Sequence, residues 1–76
     1  MFSLQFDISI KDEGDFLSVA AHTRPGDVAL KEAVAAGLVS AAEERPFGGV
    51  VHYADPRALP ALRSFLAERG ARAWET

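Results

Sequence analysis

Histidine, carboxylate and tyrosine side chains are the groups in this chain that could move a proton or hold a ligand. There are two histidines, His22 and His52, and imidazole is the side chain type suited to acid–base exchange near neutral pH. Joined by Asp7 or Asp55, they would form an acid–base or metal constellation. The plainer alternative is one surface histidine and one strand histidine satisfied by a hydrogen bond. Thirty positions separate the two, a spacing that matches no recognised zinc motif, and no metal is expected. Tyr53 follows His52 directly, and Phe16 begins an apolar stretch after an acidic turn. His22, His52, Tyr53, Asp7 and Phe16 are therefore the candidate ligand or interface residues. No residue earns a catalytic assignment, and no cofactor is implied.

The remaining polar residues fall outside known chemical motifs. Ser9, Ser18, Ser40 and Ser64 lie in no Gly-x-Ser-x-Gly elbow, which argues against a serine hydrolase. Gly48-Gly49 precedes an apolar run that reads as a strand, so it is a turn and not a phosphate loop opening a helix. Glu43-Glu44 reads as a solvated pair. Arg57, Arg63, Arg69 and Arg72 cluster toward the C-terminus and read as solvated or ion-paired side chains. Trp74 is expected to be a lid over the core, with an interface anchor as the alternative.

These residues need a frame, and the clearest part of it is the first strand, Phe2 to Lys11. Phe2, Leu4, Phe6, Ile8 and Ile10 alternate with Ser3, Gln5, Asp7, Ser9 and Lys11. A strand turns successive side chains to opposite faces, so one face is apolar and the other polar. The segment Lys11-Asp12-Glu13-Gly14-Asp15 reads as a hairpin turn before a second strand, Phe16 to Thr23. A tight turn centred on Glu13-Gly14 sets Ile10 opposite Leu17, Ile8 opposite Val19 and Phe6 opposite Ala21. All six then share the core face, while Asp7, Ala20 and His22 lie on the other.

Pro25 and Gly26 break the strand, and Asp27 is a suitable N-cap for a helix from Val28 to about Glu44. Leu30, Val34, Leu38 and Ala41 form its inner arc, ended by Pro46. Alternatively Gly37 caps the helix in a left-handed conformation, with Leu38 as the capping hydrophobe. Val50 to Ala54 is a short strand. Asp55-Pro56 opens a second helix that runs to Arg69, irregular in its first turn because of Pro60. Leu59, Leu62, Phe65 and Leu66 are its inner stripe, and Gly70 its terminator. Ala71 to Glu75 is the last strand.

The expected fold is α+β: a two-layer sandwich, a four-stranded mixed sheet with two helices on one face, in the order ββαβαβ. If the first helix stops at Gly37, the alternative is a ferredoxin-like order βαββαβ, with 38–44 a strand and 16–23 an irregular insertion. The succession of strands and strand–helix units resembles that of the STAS domain. The serine-bearing loop phosphorylated in that family is absent, and Asp55-Pro56-Arg57 stands in its place.

With 76 residues the chain supports one small domain and one core. It is 49% hydrophobic and 25% charged, the composition of a globular chain and not a disordered one. It lacks cysteine, hence disulfide and thiolate-metal staples, and oligomerisation is an expected source of further burial. A net charge of −3 argues against a nucleic-acid or anionic-membrane partner. No apolar run is long enough to span a bilayer, no secretory leader is visible, and the cytoplasm is the default compartment. The expected function is a non-enzymatic interaction or regulatory domain that self-associates through an open sheet face or an edge strand. The alternative is a small ligand-binding protein or enzyme using histidines on that face or at a subunit interface.

Overall fold

The computed structural model describes residues 6–46 and 48–76. The expected strand positions Phe2, Ser3, Leu4 and Gln5 lie outside the described residues. Strands β1 (Ile8–Asp12) and β2 (Leu17–Ala21) are followed by helix α1 (Arg24–Ala35). Next come β3 (Glu43–Glu44) and β4 (Val50–Ala54), a 3₁₀ turn (Pro56–Ala58), helix α2 (Leu59–Glu68) and β5 (Ala73–Glu75). The fold is α+β, one mixed sheet with two helices. The sheet has five strands in the order β3-β4-β2-β1-β5, not the expected four. Among the described residues only the β1–β5 pair is parallel.

The extra strand exists because the first helix is short. It stops at Ala35, with Gly37 at φ +78. The Gly37 N–H donates to the Val34 carbonyl and the Leu38 N–H to the Ala33 carbonyl, each at 3.0 Å. That pair of bonds is the Schellman cap, which satisfies the last carbonyls and turns the chain out of the helix. Residues 38–44 are thereby released, and Glu43–Glu44 pairs antiparallel with β4. The helix also begins earlier than Asp27 suggests. Thr23 is extended, and its hydroxyl accepts the Gly26 N–H at 3.2 Å. Pro25 then falls in the first turn, where its missing donor costs nothing. The ferredoxin-like order fails on its other half, because residues 17–21 are a regular strand.

Alternation placed the faces of the hairpin correctly from Ile8 to Ala21, and the register lies two residues away. Ile8 pairs with Ala21, Ile10 with Val19 and Asp12 with Leu17. The turn centres on Gly14-Asp15, closed by a Glu13 N–H to Phe16 carbonyl bond of 2.9 Å. Gly14 takes φ +96 at the first central position, a conformation that glycine tolerates and glutamate resists. The Asp12 carboxylate accepts the Gly14 N–H at 2.8 Å and fixes the turn.

Ile8, Ile10, Leu17 and Val19 form one core cluster with Ala29, Leu30 and Ala33 of α1 and Leu62 and Leu66 of α2. Both helices therefore pack on one sheet face. Helix α2 ends in the same way as α1: Gly70, at φ +71, donates to Ala67, and Ala71 donates to Leu66. Ala71 is thus a buried cap residue, and the last strand starts only at Ala73.

Phe6 is not a core residue. Consecutive N–H groups in a regular strand point to opposite edges, yet Asp7 and Ile8 both donate to the Arg72 carbonyl, at 2.8 and 3.1 Å. This bulge-like kink interrupts the alternation. Phe6 turns to the helix-free face, and Asp7 turns toward the start of α1. A Cβ built on Gly26 would lie 2.3 Å from the Asp7 carbonyl oxygen, so only glycine lets helix and strand approach this closely.

Candidate functional site

The face opposite the helices gathers most of the candidates. Cross-strand partners share a face. Tyr53 pairs with Ser18, and Trp74 with Ser9, which places both aromatics beside the serines of β2 and β1. Phe16 and Tyr53 meet edge-on, with ring centroids 5.3 Å apart. Across the sheet Phe6 stacks on Trp74 at 5.6 Å and receives His22 edge-on at 5.6 Å. Two aromatic clusters thus flank a strip of Ser9, Ser18 and Ala20. Phe16 remains 41% exposed and Trp74 53%, so Trp74 is a surface residue and not the core lid its composition suggested.

The most reactive arrangement on this face is a serine–histidine pair. Ser9 Oγ lies 2.8 Å from His22 Nε2, the distance at which an imidazole could activate a hydroxyl. A working nucleophile also needs a group orienting the base and N–H donors for the developing oxyanion. Among the described residues, the only hydrogen bond of the His22 side chain is the one it shares with Ser9. The Asp7 carboxylate is engaged by Thr23 and Arg72, and Ser9 lies within paired β1. The pair holds the imidazole in place; it does not supply the rest of a catalytic centre.

Asp7 lies on the helix side of the sheet, not the open side expected of it. Its carboxylate accepts the Thr23 hydroxyl at 2.6 Å and the Arg72 N–H at 3.0 Å. Those two bonds, Thr23 first, hold its carboxyl below the ordinary aspartate value. His52 pairs with Val19 and so also faces the helices, only 5% exposed. Its Nδ1–H donates to the Ser40 carbonyl at 2.8 Å; a carbonyl only accepts, so the proton sits on Nδ1. The two histidines therefore occupy opposite faces, and Asp7 joins neither. Asp55 caps the 3₁₀ turn and grips Arg57 through two side-chain bonds of 3.2 and 3.0 Å. The Arg57 contacts hold its carboxyl low. Among the described residues, no three His, Asp or Glu side chains gather as a metal site would require.

Of the five candidates, His22, Tyr53 and Phe16 share the helix-free face, while His52 and Asp7 do not. Ser9 joins them on the face that alternation gave it, whereas Phe6, expected in the core, joins against the sequence reading, and Trp74 joins as an exposed side chain. The place of Trp74 could be found only by knowing that β5 pairs with β1, and that of Phe6 only by knowing of the kink. Among the described residues no helix is long and apolar enough to cross a membrane. No protein-family model matches the chain, so the topological likeness to the STAS domain gains no support, and neither the curated proteins nor the solved structures include a match.

Proposed function

We propose that this chain is a non-enzymatic interaction domain that self-associates through its helix-free sheet face. The observation that carries the reading is the pair of aromatic clusters, Phe16–Tyr53 and Phe6–Trp74, around a serine strip on a face that neither helix covers. Aromatic side chains are the usual energetic anchors of contact surfaces. The molecule measures 36 × 32 × 22 Å, and two packed layers account for the short dimension. The broad face is wide enough for the roughly 800 Å² per partner that a stable interface buries. A twofold arrangement would set each aromatic cluster against its counterpart or against the serine strip of the second copy.

Sedimentation equilibrium on the native chain, Phe16→Glu and Trp74→Glu tests this. The expected result is a native dimer at micromolar concentration and monomers for both variants, with circular dichroism unchanged because both residues are surface-exposed. A native chain that stays monomeric at high micromolar concentration refutes self-association. Dimers that persist in both glutamate variants refute the assignment to this face.

A further inference from the structure

On the helix layer, away from the aromatic face, a cavity of about 480 Å³ opens between the start of α1 and the end of α2. Its walls are Arg24, Pro25, Val28, Ala29, Glu32 and Arg69. The volume lies within the ~300–1,000 Å³ of small-ligand sites. The floor is apolar, and Val28 is 50% exposed there, an outlay of apolar surface that helix packing does not explain.

The two arginines differ in kind. Arg69 is held from three sides: Nε donates to Glu32 at 2.6 Å, Nη1 donates to the Phe65 carbonyl at 3.2 Å, and Cζ lies 3.5 Å above the centre of the Phe65 ring. Its Nη2 has no acceptor among the hydrogen bonds of the described residues. Among the described residues Arg24, like Arg45 and Arg72 elsewhere on the surface, makes neither an ion pair nor a side-chain hydrogen bond, whereas Arg69 across the cavity is paired with Glu32. The lining thus carries two positive charges and one negative. An apolar recess with one uncompensated cation is complementary to one anionic group attached to a hydrocarbon body.

We propose that the cavity between Arg24 and Arg69 binds a small monocarboxylate with an apolar body, its carboxylate on Arg24 and the free edge of Arg69 and its hydrocarbon against Pro25, Val28 and Ala29. Glu32 sets the limit on charge: a dianion would meet its carboxylate, whereas a monoanion is balanced by Arg24.

The test is a titration of the ¹⁵N-labelled chain with hexanoate, followed by amide chemical shifts. Hexanol serves as the uncharged analogue and acetate as the anion without a body. Hexanoate should shift the amides of Val28, Ala29, Glu32 and Arg69 saturably, while hexanol and acetate act at least about tenfold more weakly. Arg24→Gln, at an exposed position, should raise the hexanoate Kd about tenfold, the loss of roughly one charge-assisted hydrogen bond, and leave the effect of hexanol unchanged. Equal responses to hexanoate and hexanol refute the proposal, because the recess would then be only apolar. So does an Arg24→Gln variant that binds hexanoate as the native chain does, or a native chain whose amides do not saturate. Shifts confined to Phe16, Tyr53 and Trp74 also refute it, by moving the ligand to the other face.

Discussion

Replacing Gly26 with alanine separates two physical effects of opposite sign. Gly26 lies in the first turn of α1 with an ordinary helical backbone, and glycine in a helix is less favourable than alanine by up to ~1 kcal/mol. Propensity alone therefore makes Gly26→Ala stabilising. The structure reverses the sign. The new methyl carbon would stand 2.3 Å from the Asp7 carbonyl oxygen, 3.0 Å from its carbon and 3.2 Å from its Cβ. Relieving the overlap needs a separation of roughly 1 Å, and forced expansion of a packed contact typically costs about 1–3 kcal/mol. Asp7 cannot retreat freely. Its carbonyl accepts the His22 N–H at 2.8 Å, its N–H donates to Arg72, and its carboxylate binds Thr23 and Arg72. Stretching these bonds adds about 1 kcal/mol for each one lost. The net expectation is a loss of roughly 1–3 kcal/mol, a melting point lower by about 4–8 °C per kcal/mol for a domain of this size. Urea denaturation gives the free energy directly, and the amide shifts of Asp7, His22 and Arg72 report where the strain goes. A Gly26→Ala chain as stable as the native one, or more so, would refute the close approach of strand and helix.

Leu62→Ala should destabilise by about 2–5 kcal/mol, since Leu62 is fully buried. Phe6→Ala, which removes only surface aromatic contacts, should cost no more than about 1.5 kcal/mol and should weaken the proposed self-association; denaturation midpoints that fall equally for both would return Phe6 to the core. Gly37→Ala should destabilise by about 1 kcal/mol, because a Cβ at φ +78 is strained although nothing lies within 4 Å of it; a stabilised variant would mean that the helix continues through Gly37. For Asp7 the sign is set by a folded-state carboxyl held below its ordinary value of 3.8. Its stabilising contribution is present above that value and is lost as pH falls through the lower, folded one. Asp7→Asn should therefore be less stable than the native chain at neutral pH, with the difference shrinking below pH 3.8; a pH-independent difference would show that the Thr23 and Arg72 contacts do not depend on the charge.

The alternation of Ile8 and Ile10, and of Leu17 and Val19, gave the faces of the hairpin because the period of two is a property of each strand alone. The pairing slipped by two because it depends on which residue takes the positive φ, and only backbone sterics favour Gly14 over Glu13. Gly37 and Leu38 did carry the signal for the end of α1, yet the apolar residues beyond them continued a helical arc and obscured it. The kink at Asp7 leaves no local trace, since the carbonyl that causes it belongs to Arg72, 65 positions away along the chain. His52 was unreadable for a different reason. Val50, Val51 and Ala54 surround it with apolar neighbours on both sides, so no alternation assigns its face. The cavity of Arg24 and Arg69 draws its walls from two helices, and neither helix alone suggests a recess.

Strand β1 has its nearest and its farthest neighbours in sequence on its two edges. The β2 edge closes through a four-residue turn from Asp12 to Leu17, and local hairpins of this kind form within about 1–10 μs. The β5 edge closes only when residues 65 positions apart meet. Loop-closure entropy makes that step roughly 2–3 kcal/mol more costly than the hairpin. The order of assembly follows: the hairpin forms early, and β5 docks late, after the helices have brought Arg72 to Asp7. Until then the outer edge of β1 presents unpaired backbone groups, with Trp74 not yet beside Ser9. The Phe6–Trp74 side of the aromatic face is therefore completed only with this step, and a chain caught before it is open to accepting the corresponding strand of a neighbour in place of its own.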